Sequence, residues 1–248
     1  MKFTYDAYRS MLLRLLQKEY YICDYQDWKC YNKSVILRHD IDNSIERAVK
    51  LSDLEAEIIG GKATYFVLLS TEFYNVFSRK SREMLQHIIC NGGRIGLHFD
   101  ETQYEEGTDQ NLVERIRNEA EILSDVLDYE INVVSMHRPS KQMLDSGIKI
   151  PGLINSYDKS YFSEMKYVSD SRRNWRENVE EIIEQENYSR LHILTHAFWY
   201  EQEDALSTRN ALLPFILNAC LERYDNMNDN FRDLASEIKR EEIERIIQ

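Results

Sequence analysis

Histidine and carboxylate pairs recur in this chain at the ends of short apolar runs: His39-Asp40-Ile41-Asp42, His98-Phe99-Asp100, His137-Arg138, and His192 with His196. Five of the six histidines fall at or near such ends, and only His87 sits in a helical stretch. Imidazole and carboxylate donors together suit Zn²⁺ and related divalent ions, with one coordination position left for water. An ion so held lowers the pKa of water toward neutrality and polarises a carbonyl. A neighbouring carboxylate can then take the water proton, and an imidazole can protonate a leaving group. The chemistry implied is metal-assisted hydrolysis of an acyl or C–N bond. No GxSxG elbow or reactive-cysteine context competes with it.

For one site to draw on four segments, those segments must end on one rim. Parallel α/β barrels provide that arrangement, because their active sites form at the carboxyl ends of several strands. The chain carries the matching pattern. A first helix is predicted over 5–20. Strands follow at 34–40, 62–69, 94–100 and 131–138, with shorter ones at 153–157 and 166–169 and a last clear one at 191–196. Helical segments separate most of them. One starts with capping-box spacing at Asn43 and Glu46 and ends at Gly60-Gly61; another stops at Gly92-Gly93. Further helices are read at 175–186 and over the C-terminal third. No glycine-rich phosphate loop follows the first strand, so a closed or nearly closed barrel fits better than a doubly wound dinucleotide-binding sheet.

Composition narrows the class further. The 248 residues suit one domain spanning 1–248, with a core at about 34–200 and C-terminal helices at about 201–248. A net charge of −12 argues against a partner that offers a nucleic-acid backbone. A mean hydropathy of −0.56 and the lack of a long apolar run exclude a membrane-spanning helix. The first 20 residues lack a signal-peptide pattern, and the four cysteines show no CxxC or disulfide framework, so a cytoplasmic protein is expected.

On these motifs the chain resembles the NodB-homology polysaccharide deacetylases, carbohydrate esterase family four. The resemblance covers about residues 35–199 and implies a distorted seven- or eight-stranded β/α barrel, here with extra N- and C-terminal helices. It implies a metal-dependent enzyme, most simply with Zn²⁺ and alternatively with Co²⁺, Mn²⁺ or Ni²⁺, that removes an acetyl group from an N-acetylated sugar. By the same resemblance, LRHDID offers Asp40 as general base and Asp42 as metal ligand, and RIGLHFDET offers His98 as a second ligand. SMHRPS offers Arg138 to orient the base, SDSRRNW supplies Asp170 and Trp175, and LTHAFWY supplies His196 as general acid. The family's second histidine, four residues after the first, is Thr102 here. A third ligand must then come from elsewhere, either His137 at a strand end or Asp100 on the face of His98. The departure leaves open a barrel that binds a sugar without turning it over, and a related hydrolase of a non-sugar amide. Trp199, Asp170, Trp175 and Arg173 are the expected substrate contacts, with Arg172, Arg173 and Arg176 able to grip a phosphate. The partner implied is a small sugar or sugar-phosphate precursor.

Overall fold

The computed structural model describes residues 1–105 and 109–247. The chain divides into two compact units, Met1–Gln202 and Glu203–Gln248. Among the described residues the first contains eight strands: β1 (Tyr21–Cys23), β2 (Ser34–Ile41), β3 (Thr64–Leu68), β4 (Arg94–Phe99), β5 (Val133–Met136), β6 (Ile154–Asn155), β7 (Lys166–Ser169) and β8 (Arg190–Thr195). Its helices are α1 (Tyr5–Gln17), α2 (Ile45–Ile59), α3 (Arg79–Cys90), α4 (Asp109–Leu127), α5 (Lys141–Ser146), α6 (Ser160–Ser163) and α7 (Val179–Gln185). The second unit holds α8 (Thr208–Asn228), α9 (Leu234–Glu237) and α10 (Arg240–Ile247), tied by Tyr224 donating to the Ile238 carbonyl at 2.8 Å. No helix among the described residues is long and apolar enough to cross a membrane.

All the ladders are parallel, in the order β6-β5-β4-β3-β2-β8-β7, with β1 also on β2. The sheet is strongly curled. β2 and β5 are three places apart, about 14 Å in a flat sheet, yet Arg38 on β2 bonds the Ser135 hydroxyl on β5. The Arg38 guanidinium also lies 5.2 Å from the ring of Tyr157, just beyond β6. The architecture is therefore a distorted β/α barrel, as expected. No ladder joins β6 to β7 among the described residues. Aromatic rings fill that opening instead, with Phe162 at 5.8 Å from Tyr157 and 5.0 Å from Tyr167.

The two faces of each strand follow its period of two. Val35, Leu37 and Ile41 of β2, Tyr65 and Val67 of β3, and Val134 of β5 join the main core beneath the helices. Ile36, Phe66 and Val133 belong to a smaller cluster on the opposite, inner face. Gly96 on β4 fits this inner packing, because a Cβ there would meet the Phe66 ring at 2.6 Å. Local signals act as read from the sequence, with small shifts. α2 is capped by Ser44, one residue beyond Asn43, and ends at Gly60 in the left-handed region with φ +71°. α7 begins at Val179 because Asn178, not Trp175, caps it. β1 was not anticipated; its three residues are too few for a period to show.

Candidate active site

Residues 38, 40 and 42 alternate along and just beyond β2, so their side chains leave one face, toward the barrel interior. Arg38 is fully buried and grips Asp40 at two points, Nε on Oδ1 and Nη2 on Oδ2, both at 2.8 Å. The planar fork of a guanidinium fixes the plane of a carboxylate as well as its position. Burial alone would raise the Asp40 carboxyl, but the Arg38 charge, aided by His98 and His196, holds it below the usual range.

Just past β2, Asp42 Oδ1 lies 3.3 Å from His98 Nε2 and 3.4 Å from His137 Nδ1, and those nitrogens are 3.2 Å apart. Parallel pairing sets this up, since β4 and β5 run in register with His98 opposite Ser135. His98 Nδ1 lies 3.3 Å from the Ser135 carbonyl. A carbonyl only accepts, so Nδ1 carries the proton and Nε2 presents its lone pair to Asp42, the arrangement of a metal-ligating histidine. Asp42 Oδ1 is buried and has no hydrogen-bond donor. Burial would raise its carboxyl, yet the His137 and His98 rings beside it and the charge of His196 hold it well below the usual range. The three ligand atoms lie within 4.8 Å of one another. An orphaned carboxylate oxygen facing two imidazole nitrogens fits a divalent cation of the zinc class.

His196 follows β8 on the other flank. Its Nδ1 is 2.6 Å from Asp170 Oδ1, and its Nε2 faces Asp42 Oδ2 at 3.9 Å. Asp170 is fully buried and also accepts from the His196 backbone N–H, at 3.0 and 3.1 Å, and from the Tyr200 hydroxyl at 3.3 Å. Burial opposes protonation of His196, but the Asp170 charge and hydrogen bond, reinforced by Asp42 and Asp40, push it up to about 9. The site thus has the Asp40 carboxylate on one side, the His196 imidazole on the other, and between them three atoms that could hold a metal ion.

Several residues stand elsewhere than expected. Arg138 does not orient Asp40: its backbone is left-handed, φ +48°, which turns the side chain outward, 73% exposed, with Asp100 at 3.6 Å. Asp100 does not join the ligand cluster, because its carboxylate accepts from the Thr102 backbone N–H and hydroxyl. Asp170 is spent on His196 and faces no substrate space. Arg173 lies over the Phe3 ring at 4.9 Å. Trp175 and Trp199 are half-buried against the main core, although the Trp199 backbone N–H donates to the His196 carbonyl at 3.1 Å, which keeps Trp199 beside the same rim. Of the five strand-end histidines, only His98, His137 and His196 reach the site. His39 points to the helix side of β2, toward Glu55 at 2.7 Å, and His192 lies against Tyr25 at 2.8 Å. Arg38 was the residue missed. Its signal was available, since it stands two positions before Asp40 in a strand.

No family model matches the chain, and no curated protein matches it. Solved structures do. The chain is similar to the peptidoglycan deacetylase PdaC from Bacillus subtilis, with 18% identity over 69% of this chain and 77% of that one and a TM-score of 0.42. It is similar to the Streptococcus pyogenes deacetylase PplD in complex with acetate, with 12% identity over 77% and 80% of the two chains and a TM-score of 0.43. It is also similar to BA3943, a pseudoenzyme of carbohydrate esterase family four from Bacillus anthracis, at 11% identity and a TM-score of 0.43, over 67% of this chain and 55% of that one.

Proposed function

We propose that this protein is a metal-dependent hydrolase that removes the acetyl group from an N-acetylated sugar or sugar precursor. The observation that carries the reading is the convergence of Asp42, His98 and His137 between a gripped carboxylate, Asp40, and a protonated imidazole, His196. Those three side chains would hold a divalent ion, Zn²⁺ before Co²⁺, Mn²⁺ or Ni²⁺, which when bound polarises the acyl carbonyl and acidifies water. The chain's own groups divide the proton transfers. Asp40 accepts a proton from the attacking water as the new C–O bond forms. His196 gives its Nε2 proton to the amine nitrogen as the C–N bond breaks, leaving acetate and a free amine. Exchange with solvent restores both groups. Arg38 keeps the Asp40 carboxylate in plane, and Asp170 holds Nδ1–H so that Nε2 is the nitrogen turned to the site.

The order of the motif residues along the barrel supports a sugar as the substrate class, and Trp199 on the rim is the candidate surface for its apolar face. The four free cysteines accord with a reducing cytoplasm, where the substrate would be a glycan precursor. The test is metal quantitation joined to acetate release over a panel of N-acetylated sugars and nucleotide sugars. Stoichiometric metal and turnover, both lost in Asp42→Asn and His98→Ala, are expected. Unchanged metal and turnover in those variants would sink the reading. A wild type with neither would instead be a barrel that only binds a sugar.

A further inference from the structure

The three candidate ligands are held in place differently. His98 is turned by its Nδ1–H, which faces the Ser135 carbonyl at 3.3 Å. His137 is placed by its own backbone N–H, which donates to the Phe99 carbonyl at 2.7 Å and ties the end of β5 to the end of β4. Asp42 has no comparable support at its carboxylate. Its Oδ1 is buried without a donor, and His196 Nε2 stays 3.9 Å from Oδ2. The direction of this side chain is therefore set through its backbone. Tyr74, in the segment between β3 and α3, acts there. Its hydroxyl donates to the Ile41 carbonyl at 2.7 Å and accepts from the Leu68 backbone N–H at 2.9 Å. Ile41 and Val67 are the last partners of the β2–β3 ladder, so the hydroxyl sits where the two strands stop pairing. The Ile41 carbonyl and the Asp42 nitrogen share one planar peptide unit. Fixing that carbonyl fixes the plane from which Asp42 departs.

We propose that Tyr74 is a positioning residue for the metal site: its hydroxyl locks the Ile41–Asp42 peptide between β2 and β3 and so aims the Asp42 carboxylate at His98 and His137. The inference rests on the metal site of the deacetylase reading and deepens it, giving β3, which ends in no candidate ligand, a part in holding one. The competing role is packing, since the Tyr74 ring also lies against the main core. Tyr74→Phe separates the two, because it keeps the ring and removes only the hydroxyl.

The test compares the full chain with Tyr74→Phe and, as a control, with Glu55→Gln, which loosens the opposite face of β2. Competition of Zn²⁺ against a chromophoric chelator gives the metal affinity. The electronic spectrum of bound Co²⁺ reports ligand geometry, and thermal unfolding of the metal-free chain reports the fold. Loss of a group that orients a metal ligand costs about 10- to 100-fold in metal affinity. Tyr74→Phe is expected to weaken Zn²⁺ by that factor and to change the Co²⁺ spectrum, with a metal-free Tm within about 10 °C of wild type. Glu55→Gln should leave affinity within about twofold and the spectrum unchanged. An unchanged affinity and spectrum in Tyr74→Phe, or an equal loss in Glu55→Gln, overturns the proposal. A Tyr74→Phe chain that is unfolded without metal makes the hydroxyl a brace of the fold and overturns it too. If the wild type binds Zn²⁺ but releases acetate from no sugar, the deacetylase reading has failed, and the affinity comparison still judges Tyr74. A wild type that binds neither ion overturns both.

Discussion

The two faces of β2 each bury a cluster of polar groups, and the clusters differ in what they leave unpaired. On the helix side, His39 sits between Glu55 Oε1 at 2.7 Å and the Thr195 hydroxyl at 2.5 Å. Glu55 in turn accepts from the Tyr8 hydroxyl at 2.5 Å and the Tyr65 hydroxyl at 2.6 Å. Both carboxylate oxygens and both ring nitrogens have partners, and all five residues are buried. On the barrel side, Arg38 Nη1 and Asp42 Oδ1 are buried without any. A closed network rigidifies; an open one marks where a ligand must complete the structure. The outer cluster braces α1, α2, β2, β3 and β8 together. The inner cluster is where the proposed chemistry would take place.

The sharpest way to break that contrast is Asp42→Asn. It preserves shape while removing the ligand charge, so kcat/KM should fall by about 10³-fold or more, roughly 4 kcal/mol of barrel-side function, while Tm changes little. Loss of bound metal in elemental analysis accompanies it. A variant that instead unfolds and keeps its metal would make the inner cluster another brace.

Next comes Arg38. Replacing it with Met frees the Asp40 carboxylate to rotate, and misplacement of a catalytic group by about 1 Å costs on the order of 10²-fold in kcat. Lysine should restore charge without the fork and recover only part of that loss. Rate profiles of both variants against wild type decide it: a kcat untouched by Arg38→Met removes Arg38 from the site.

Much of this was legible beforehand. That Asp42, His98 and His137 come together could be anticipated, with Asp100 as the alternative to His137, because each closes an apolar strand and in a parallel barrel strand ends share a rim. What was missed depended on directions and pairings that residue types do not carry. Arg138 was misplaced because its own backbone sign, φ +48°, turns it away from Asp40. Asp170 was assigned to substrate because its bond to His196 arises from the β7–β8 ladder, where Ser169 lies opposite Leu194. His39 is kept from the site by its face, the helix side of β2, whereas His192 shares the inner face with Ile36 and is kept from the rim by its place early in β8.

On the outer face, Glu55→Gln converts an acceptor-only carboxylate into an amide whose NH₂ must meet hydroxyls already donating. Leaving one buried group unsatisfied costs about 1–3 kcal/mol. Denaturant unfolding should show that loss, with turnover per folded molecule within about twofold of wild type, since activity lives on the other face. Collapse of kcat at unchanged stability would mean that the Thr195–His39–Glu55 chain relays something to His196, its neighbour in sequence, and does not merely brace it.

The smallest effect separates two histidines of β8 itself. His192 is pushed down to about 3 by burial and by the Arg38 charge, whereas His196 is pushed up to about 9, chiefly by Asp170 against burial. The ordinary value for both is 6.5. A raised pKa contributes stability that is fully present below that ordinary value and lost as pH rises through about 9. A lowered one contributes stability present above it and lost as pH falls from 6.5 toward about 3. In the metal-free protein, NMR titration should therefore find His196 charged and His192 neutral throughout the neutral range. Asp170→Asn should bring His196 back toward its ordinary value and, in the loaded enzyme, carry the alkaline limb of the rate profile down with it. If His196 keeps its raised value without Asp170, the charge holding its proton belongs to Asp42 and Asp40, and the barrel side would then set its own acid without help from β7.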